Sequence, residues 1–150
     1  TMRTLLISCK LILLFIAYSH SENIEFRKDT LVINTGIESI TFDIELAISP
    51  EERSKGLMFR KKLAMNQGML FIYPYNQHVT MWMKNTLILL DMIFINENGS
   101  IEDIVYMTTP NSLSHITTKN RVKAVLEING GLSKYLKINK GDKIIYSTFN

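Results

Sequence analysis

The sequence predicts an all-β domain, a β-sandwich or distorted β-barrel of about eight strands with one or two short helices. Three observations carry this prediction. Phe42, Ile44, Leu46 and Ile48 alternate with Thr41, Asp43, Glu45 and Ala47, the period of a half-buried strand. Val122, Ala124, Leu126 and Ile128 repeat the pattern near the other end of the chain. Tight-turn groups such as Asn98-Gly99, Asn129-Gly130-Gly131 and Asn139-Lys140-Gly141-Asp142 separate the apolar segments, because Asn and Gly tolerate positive φ.

The elements follow in order. Residues 20–29 are polar and lead into the domain. After the strand over residues 41–48, Ser49-Pro50-Glu51-Glu52 predicts a helix start: Ser49 caps, Pro50 suits the first helical position and Glu52 completes a capping box. The helix should be short and reach Leu57 or Met58, with Gly56 implying a packing reason inside it. Residues 69–73 and 79–84 read as strands separated by a turn at Pro74. Residues 91–95 and 100–107 read as a hairpin through Asn98-Gly99, and residues 108–120 as a long surface loop. A strand over residues 122–128, a short helix over residues 132–136 and a last strand over residues 143–147 complete the chain.

Length and composition agree with one domain. The chain has 150 residues, 46% hydrophobic and 21% charged, a globular balance. Residues 1–21 read as a secretory signal, leaving residues 22–150 as the mature domain. Arg3 supplies the positive end, residues 11–18 an apolar run, and Ala17 and Ser19 the small residues for cleavage before His20. Ser19 and Ser21 offer a second register, before Glu22. Lys10 divides the apolar stretch, which is short for a membrane span, so membrane attachment is expected only if the signal stays uncut. The expected location is periplasmic or secreted. Removing the signal deletes Arg3 and Lys10 and no acid, lowering the formal charge from +3 to +1. A near-neutral domain has little attraction for phosphate backbones, and nucleic acid is not an expected partner. Cys9 is the one cysteine and falls in the signal, so neither a disulfide nor thiolate chemistry is expected in the domain.

The densest chemical signal is Trp82-Met83-Lys84-Asn85-Thr86 followed by Asp91. Here an aromatic, a cation, an amide and a carboxylate stand inside an otherwise apolar stretch. Polar groups in such a run cost free energy unless they are satisfied, so they mark a buried network or a ligand site. As a strand, residues 79–84 would put Val79, Met81 and Met83 on one face and His78, Thr80, Trp82 and Lys84 on the other. Trp82 beside a cation and an imidazole suits a sugar ring or an anion; the competing expectation is a core tryptophan with Lys84 reaching solvent. Asn85, Thr86 and Asp91 fit turn caps, or Asp91 a partner of Lys84. Arg60 fits a clamp on a ligand carboxylate or an ordinary salt bridge. The candidate ligand-binding set is Trp82, Lys84, Asn85, Asp91 and Arg60.

Other patterns are missing from the sequence. His78 and His115 stand alone without metal-ligand spacing, so no metal site and no cofactor are expected. The chain has no nucleophile elbow, and Gly130-Gly131 lacks the spacing and lysine of a phosphate loop.

Glu45-Leu46-Ala47, Ser49 to Arg53, Gly56 to Arg60, Gly68 to Phe71 and the Trp82–Asp91 block together resemble the domain-of-unknown-function 192 family. Val125-Leu126-Glu127 with Gly130-Gly131, and Ile138 with Gly141-Asp142, extend the likeness over roughly residues 30–148. The resemblance implies a mostly β, sandwich-like or barrel-like fold and an exported or periplasmic setting; it implies no activity. Two departures stand out. Leu89 occupies the place where the family usually has proline before the leucine–aspartate pair. The loop over residues 108–120 lacks the cysteine pair of many members.

The function these readings favour is a non-catalytic binding or accessory module of the cell envelope, with an unidentified small molecule or glycan as ligand. The alternative is a hydrolase or lyase on glycans or cell-wall material, with Asp91 and Glu127 as an acid–base pair roughly 5 to 9 Å apart across a groove. A third reading is a structural envelope protein working through an exposed apolar patch.

Overall fold

The computed structural model describes residues 23–149, so the signal segment assigned to residues 1–21 lies outside the described residues. The chain runs β1 (Arg27–Asn34), β2 (Ser39–Ala47), α1 (Pro50–Lys55), β3 (Gln67–Gln77), β4 (Thr80–Met81), β5 (Leu90–Ile95), β6 (Ile101–Thr108), β7 (Ile116–Thr117), β8 (Val122–Asn129), α2 (Leu132–Tyr135) and β9 (Lys143–Ile145), ending in a 3-10 turn, Ser147–Phe149. This is the all-β domain with two short helices that the alternation predicts, in barrel-like form.

Seven strands form one sheet in the order β6-β5-β8-β3-β2-β1-β9, and β4 pairs with β7 in a second, small sheet. All neighbouring pairs in the large sheet are antiparallel except β2 and β3. Parallel neighbours need a crossover, and the segment carrying α1 supplies it. The large sheet curls until its two edges meet. A Ser100–Lys143 bridge joins them, with Ile144 N–H on the Gly99 carbonyl at 2.7 Å and Ile101 N–H on the Asp142 carbonyl at 2.9 Å. Pairing the edges satisfies backbone groups that an open sheet would leave bare.

The period-two alternation sorts the side chains onto two faces. Leu31, Ile33, Phe42, Ile44, Leu46, Leu70, Ile93, Leu126, Ile128 and Ile144 fill the inside of the curl, with Leu132 and Ile138 from α2 and the loop after it. The outer face of β3, β8 and β5 carries Met69, Phe71, Val125, Leu90, Met92 and Phe94. Leu57, just after α1, and Val79, Met81 and Met83, in and around β4, cover it. Being buried on both faces, β5 and β8 read as near-continuous apolar runs.

Local chemistry explains α1. Ser49 accepts from Glu52 N–H at 3.1 Å, and the Glu52 carboxylate accepts from Ile48 N–H at 2.7 Å and Ser49 N–H at 2.9 Å, so the capping box is complete. The helix stops at Lys55, two residues short of Leu57. Gly56 adopts a φ of +44°, and a Cβ there would lie 3.0 Å from the Phe71 ring, which is the packing reason for glycine.

Four sequence expectations need correction. Residues 27–29 are not a lead-in but the start of β1, paired to β2. Pro74 does not end its strand: β3 continues to Gln77 through an irregularity between Ile72 and Gln77 that accommodates the missing N–H. The strand over residues 79–84 shrinks to Thr80–Met81, because Met83 N–H donates to Ser112 and Asn85 turns the chain at a φ of +52°. The loop over residues 108–120 contributes β7, the partner of β4.

Candidate functional site

A cleft of about 330 Å³ opens on the outer face of the sheet, between α1 and β4. Its floor is apolar, with Leu57, Phe71 and Met81, except for one carboxyl, that of Glu127 on β8. The register explains the position. Glu127 pairs with Met69 on one side and Met92 on the other, so it stands where the outer core otherwise holds apolar side chains. Only 4% of Glu127 is exposed, and no side chain or backbone donor meets its carboxyl. Burial alone pushes its pKa from the ordinary carboxylate range up to about 8, so it is a neutral acid at pH 7.

The walls are aromatic and cationic. Tyr73 and Trp82 reach the cleft from β3 and from the end of β4, and Arg53, Lys55 and Lys84 supply three cations. The Arg53 guanidinium lies 4.9 Å from the centre of the Tyr73 ring and donates to the carbonyls of Ile48 and Ile72, the latter at 3.2 Å. Lys55 Nζ sits 4.8 Å from the Phe59 ring centre and Lys84 Nζ 5.0 Å from that of Trp82. Among the described residues the one ion pair is Arg60–Glu45, so none of the three cleft cations is in a salt bridge, although Arg53 acts at longer range on the Glu52 carboxylate. Burial pushes the Tyr73 hydroxyl up to about 12, against the pull of Arg53, and Glu127 adds to the rise.

The five residues singled out in the sequence divide between this cleft and other places. The alternation expected around Trp82 holds: Val79, Met81 and Met83 are buried, while His78, Thr80, Trp82 and Lys84 face outward. Trp82 is not a core residue. It is 42% exposed, with His115 edge-on to it at 6.3 Å between ring centres. Trp82 and Lys84 line the cleft, as does Thr86. Asn85 does not; its carbonyl accepts from Phe59 N–H at 2.8 Å and its left-handed backbone sets the turn. Arg60 pairs with Glu45 and packs over Phe26 at 5.7 Å, away from the cleft.

The expected convergence of Lys84 and Asp91 is not found. Asp91 pairs with Ile128 in the ladder, so its side chain points into the curl, across the sheet from Lys84. It is wholly buried, and its carboxylate accepts from Met107 N–H, Gly131 N–H and Ser133 N–H, each at 2.9 Å. Three backbone donors satisfy its oxygens and tie β5 to the end of β6 and the start of α2. The same register puts the Asp91 and Glu127 carboxyls on opposite faces, so they do not flank a groove as an acid–base pair.

Sequence reasoning passed over Arg53, Lys55 and Tyr73, and named Glu127 only as a partner of Asp91. A signal for Glu127 existed: it is the one charge in the apolar run Ala124-Val125-Leu126-Glu127-Ile128. Arg53 and Tyr73 gave none, because only the β2–α1–β3 crossover brings them together.

The described residues contain no cluster of three or more His, Cys, Asp or Glu that could hold a metal ion, and no helix long and apolar enough to cross a membrane.

Fold and site together define a small curled-sheet domain with an acid-floored, cation-walled cleft on its outer face. The chain belongs to the DUF192 family, described as "Uncharacterized ACR", whose model matches residues 31–146. Two solved structures are similar to it. One, from Sinorhizobium meliloti 1021 and described as a candidate transcription regulator, shares 35% identity at a TM-score of 0.81, covering 83% of this chain and 98% of its own. The other, a protein of unknown function from Novosphingobium aromaticivorans, shares 34% identity at a TM-score of 0.79, covering 81% of this chain and 86% of its own. Among curated proteins none matches the chain.

Proposed function

We propose that this protein is a non-catalytic binding module of the cell envelope, exported by its N-terminal segment, which holds a small ligand in the cleft between α1 and β4. The observation that carries the reading is Glu127, a carboxyl set in an apolar floor and facing a cleft that opens to solvent, with burial as the one influence on its pKa. A carboxyl in apolar surroundings is costly to ionise, and such a group in a cleft marks a candidate binding site. The size of the cleft suits a small molecule. Binding rather than hydrolysis is favoured because Glu127 is the one carboxyl among the lining residues, whereas glycoside hydrolysis generally uses two.

Two measurements test the reading. Thermal denaturation of the purified protein with sugars, sugar acids, peptides and divalent metals should give at least one concentration-dependent rise in melting temperature, which Glu127→Leu abolishes. A rise that persists in that variant would place the ligand elsewhere. For export, the mass of protein recovered from the periplasm should correspond to cleavage before His20 or Glu22; full-length protein found only in the cytoplasm would refute it.

A further inference from the structure

We propose that the cleft is a subsite for a uronic acid: a pyranose ring against Trp82, a ring hydroxyl on Glu127, and the sugar carboxylate at the Arg53–Lys55–Lys84 wall. The inference rests on the cleft being a ligand site and names the class of ligand.

Three observations select the class. The first is charge. Three cations line the cleft without a carboxylate partner, and the one acid among them is buried as its neutral form, so the cleft attracts an anion. The second is how that charge is spread. Arg53 already donates to two carbonyls, and the Lys55 and Lys84 ammoniums sit over the Phe59 and Trp82 rings. Cations so dispersed supply a diffuse positive field rather than a convergent phosphate cradle, so they favour a singly charged ligand whose position is fixed by its ring. The third is the match between floor and wall. A protonated carboxyl offers one donor and one acceptor, which is what a sugar hydroxyl needs in return. Trp82 is half exposed at the wall, and an aromatic face receives the C–H face of a sugar ring. A free aromatic acid would satisfy the wall but leave Glu127 unmet; a neutral sugar would satisfy the floor but leave the cations unmet.

Trp82 is the one tryptophan of the chain, so its fluorescence reports directly on the cleft. The full-length protein is titrated with galacturonate, galactose and inorganic phosphate at low and high salt. The expected result is a saturable response to galacturonate that weakens with salt. In the Lys55→Met, Lys84→Met double variant its dissociation constant should rise at least about tenfold, the low end of losing hydrogen bonds to a charged group. Galactose binding as tightly as galacturonate would overturn the anionic class and leave the cleft reading standing. Phosphate binding as tightly would overturn the sugar ring. Galacturonate binding unchanged in the double variant would overturn both this proposal and the placement of the ligand in the cleft. No saturable response up to about 50 mM would overturn the uronate proposal alone, since sites weaker than that carry no useful selectivity.

Discussion

Replacing Glu127 with glutamine should abolish a pH dependence that the wild-type protein shows between about pH 4.5 and pH 8. In the folded protein burial raises the Glu127 pKa to about 8, whereas in the unfolded chain it returns to the ordinary value of 4.5. The native state therefore holds a proton that the unfolded state releases. Stability is full below pH 4.5, falls as the pH rises through this interval, and levels off above the folded value. Each unit of difference is worth about 1.4 kcal/mol, so the loss approaches ~5 kcal/mol at high pH and ~3 kcal/mol at neutrality. That is a large share of a typical domain's 5–15 kcal/mol. Glutamine keeps the shape and the polarity but cannot ionise. Urea unfolding of both proteins, followed by Trp82 emission from about pH 5 to about pH 9, reads the difference directly. Glu52 titrates with the opposite sign, since its carboxylate is held by two N–H groups and its pKa is lowered, but its contribution lies below pH 4.5 and cancels in the comparison. Parallel stability curves for wild type and Glu127→Gln across this interval would refute the argument.

Three further outcomes follow from the same reasoning. Asp91→Asn should cost about 2–4 kcal/mol in urea unfolding, because the amide turns a donor toward one of three N–H groups; a cost below about 0.5 kcal/mol would show that the three bonds do not hold α2 in place. Gly68→Ala should be far worse than Gly141→Ala: a Cβ at Gly68 would lie 2.7 Å from the Glu127 carbonyl, whereas at Gly141 space is open and only a φ of +92° opposes it. The expected costs are above ~3 kcal/mol and about 1 kcal/mol, and the reverse order of melting temperatures would contradict the strand spacing assigned to β3 and β8. Ser49→Ala should lower stability by about 1 kcal/mol through loss of the cap on α1, measured as a shift in the urea midpoint without change of slope.

The features legible in the sequence were those set by local chemistry or by strict alternation. The capping box on α1 needs only residues 48–52, and the outward placement of Trp82 and Lys84 needs only the alternation about β4. What the sequence concealed depends on remote partners. β1 opens with Arg27-Lys28-Asp29-Thr30, all exposed, and only Leu31 and Ile33 betray it; pairing to β2 and β9 makes it a strand. Pro74 reads as a stop, yet β3 passes it at an irregular stretch where a missing N–H leaves no ladder bond empty. Asp91 looks like a neighbour of Lys84 because only six residues of chain separate them, but the turn at Asn85 lets the two segments reach opposite faces of the sheet. Within a strand the alternation fixes the face, but across a turn distance along the chain does not.

The bridge between Ser100 and Lys143 has a kinetic consequence. Lys143–Ile145 is the edge on which both β1 and the start of β6 close, so the ring of strands stays open until these residues leave the ribosome. The β1–β9 pairing, such as Val32 with Ile145, joins residues more than a hundred positions apart, and pairings of that span form slowly. During that delay Ile144 and Phe149 are missing from the inner core, so the seam and the core are completed together.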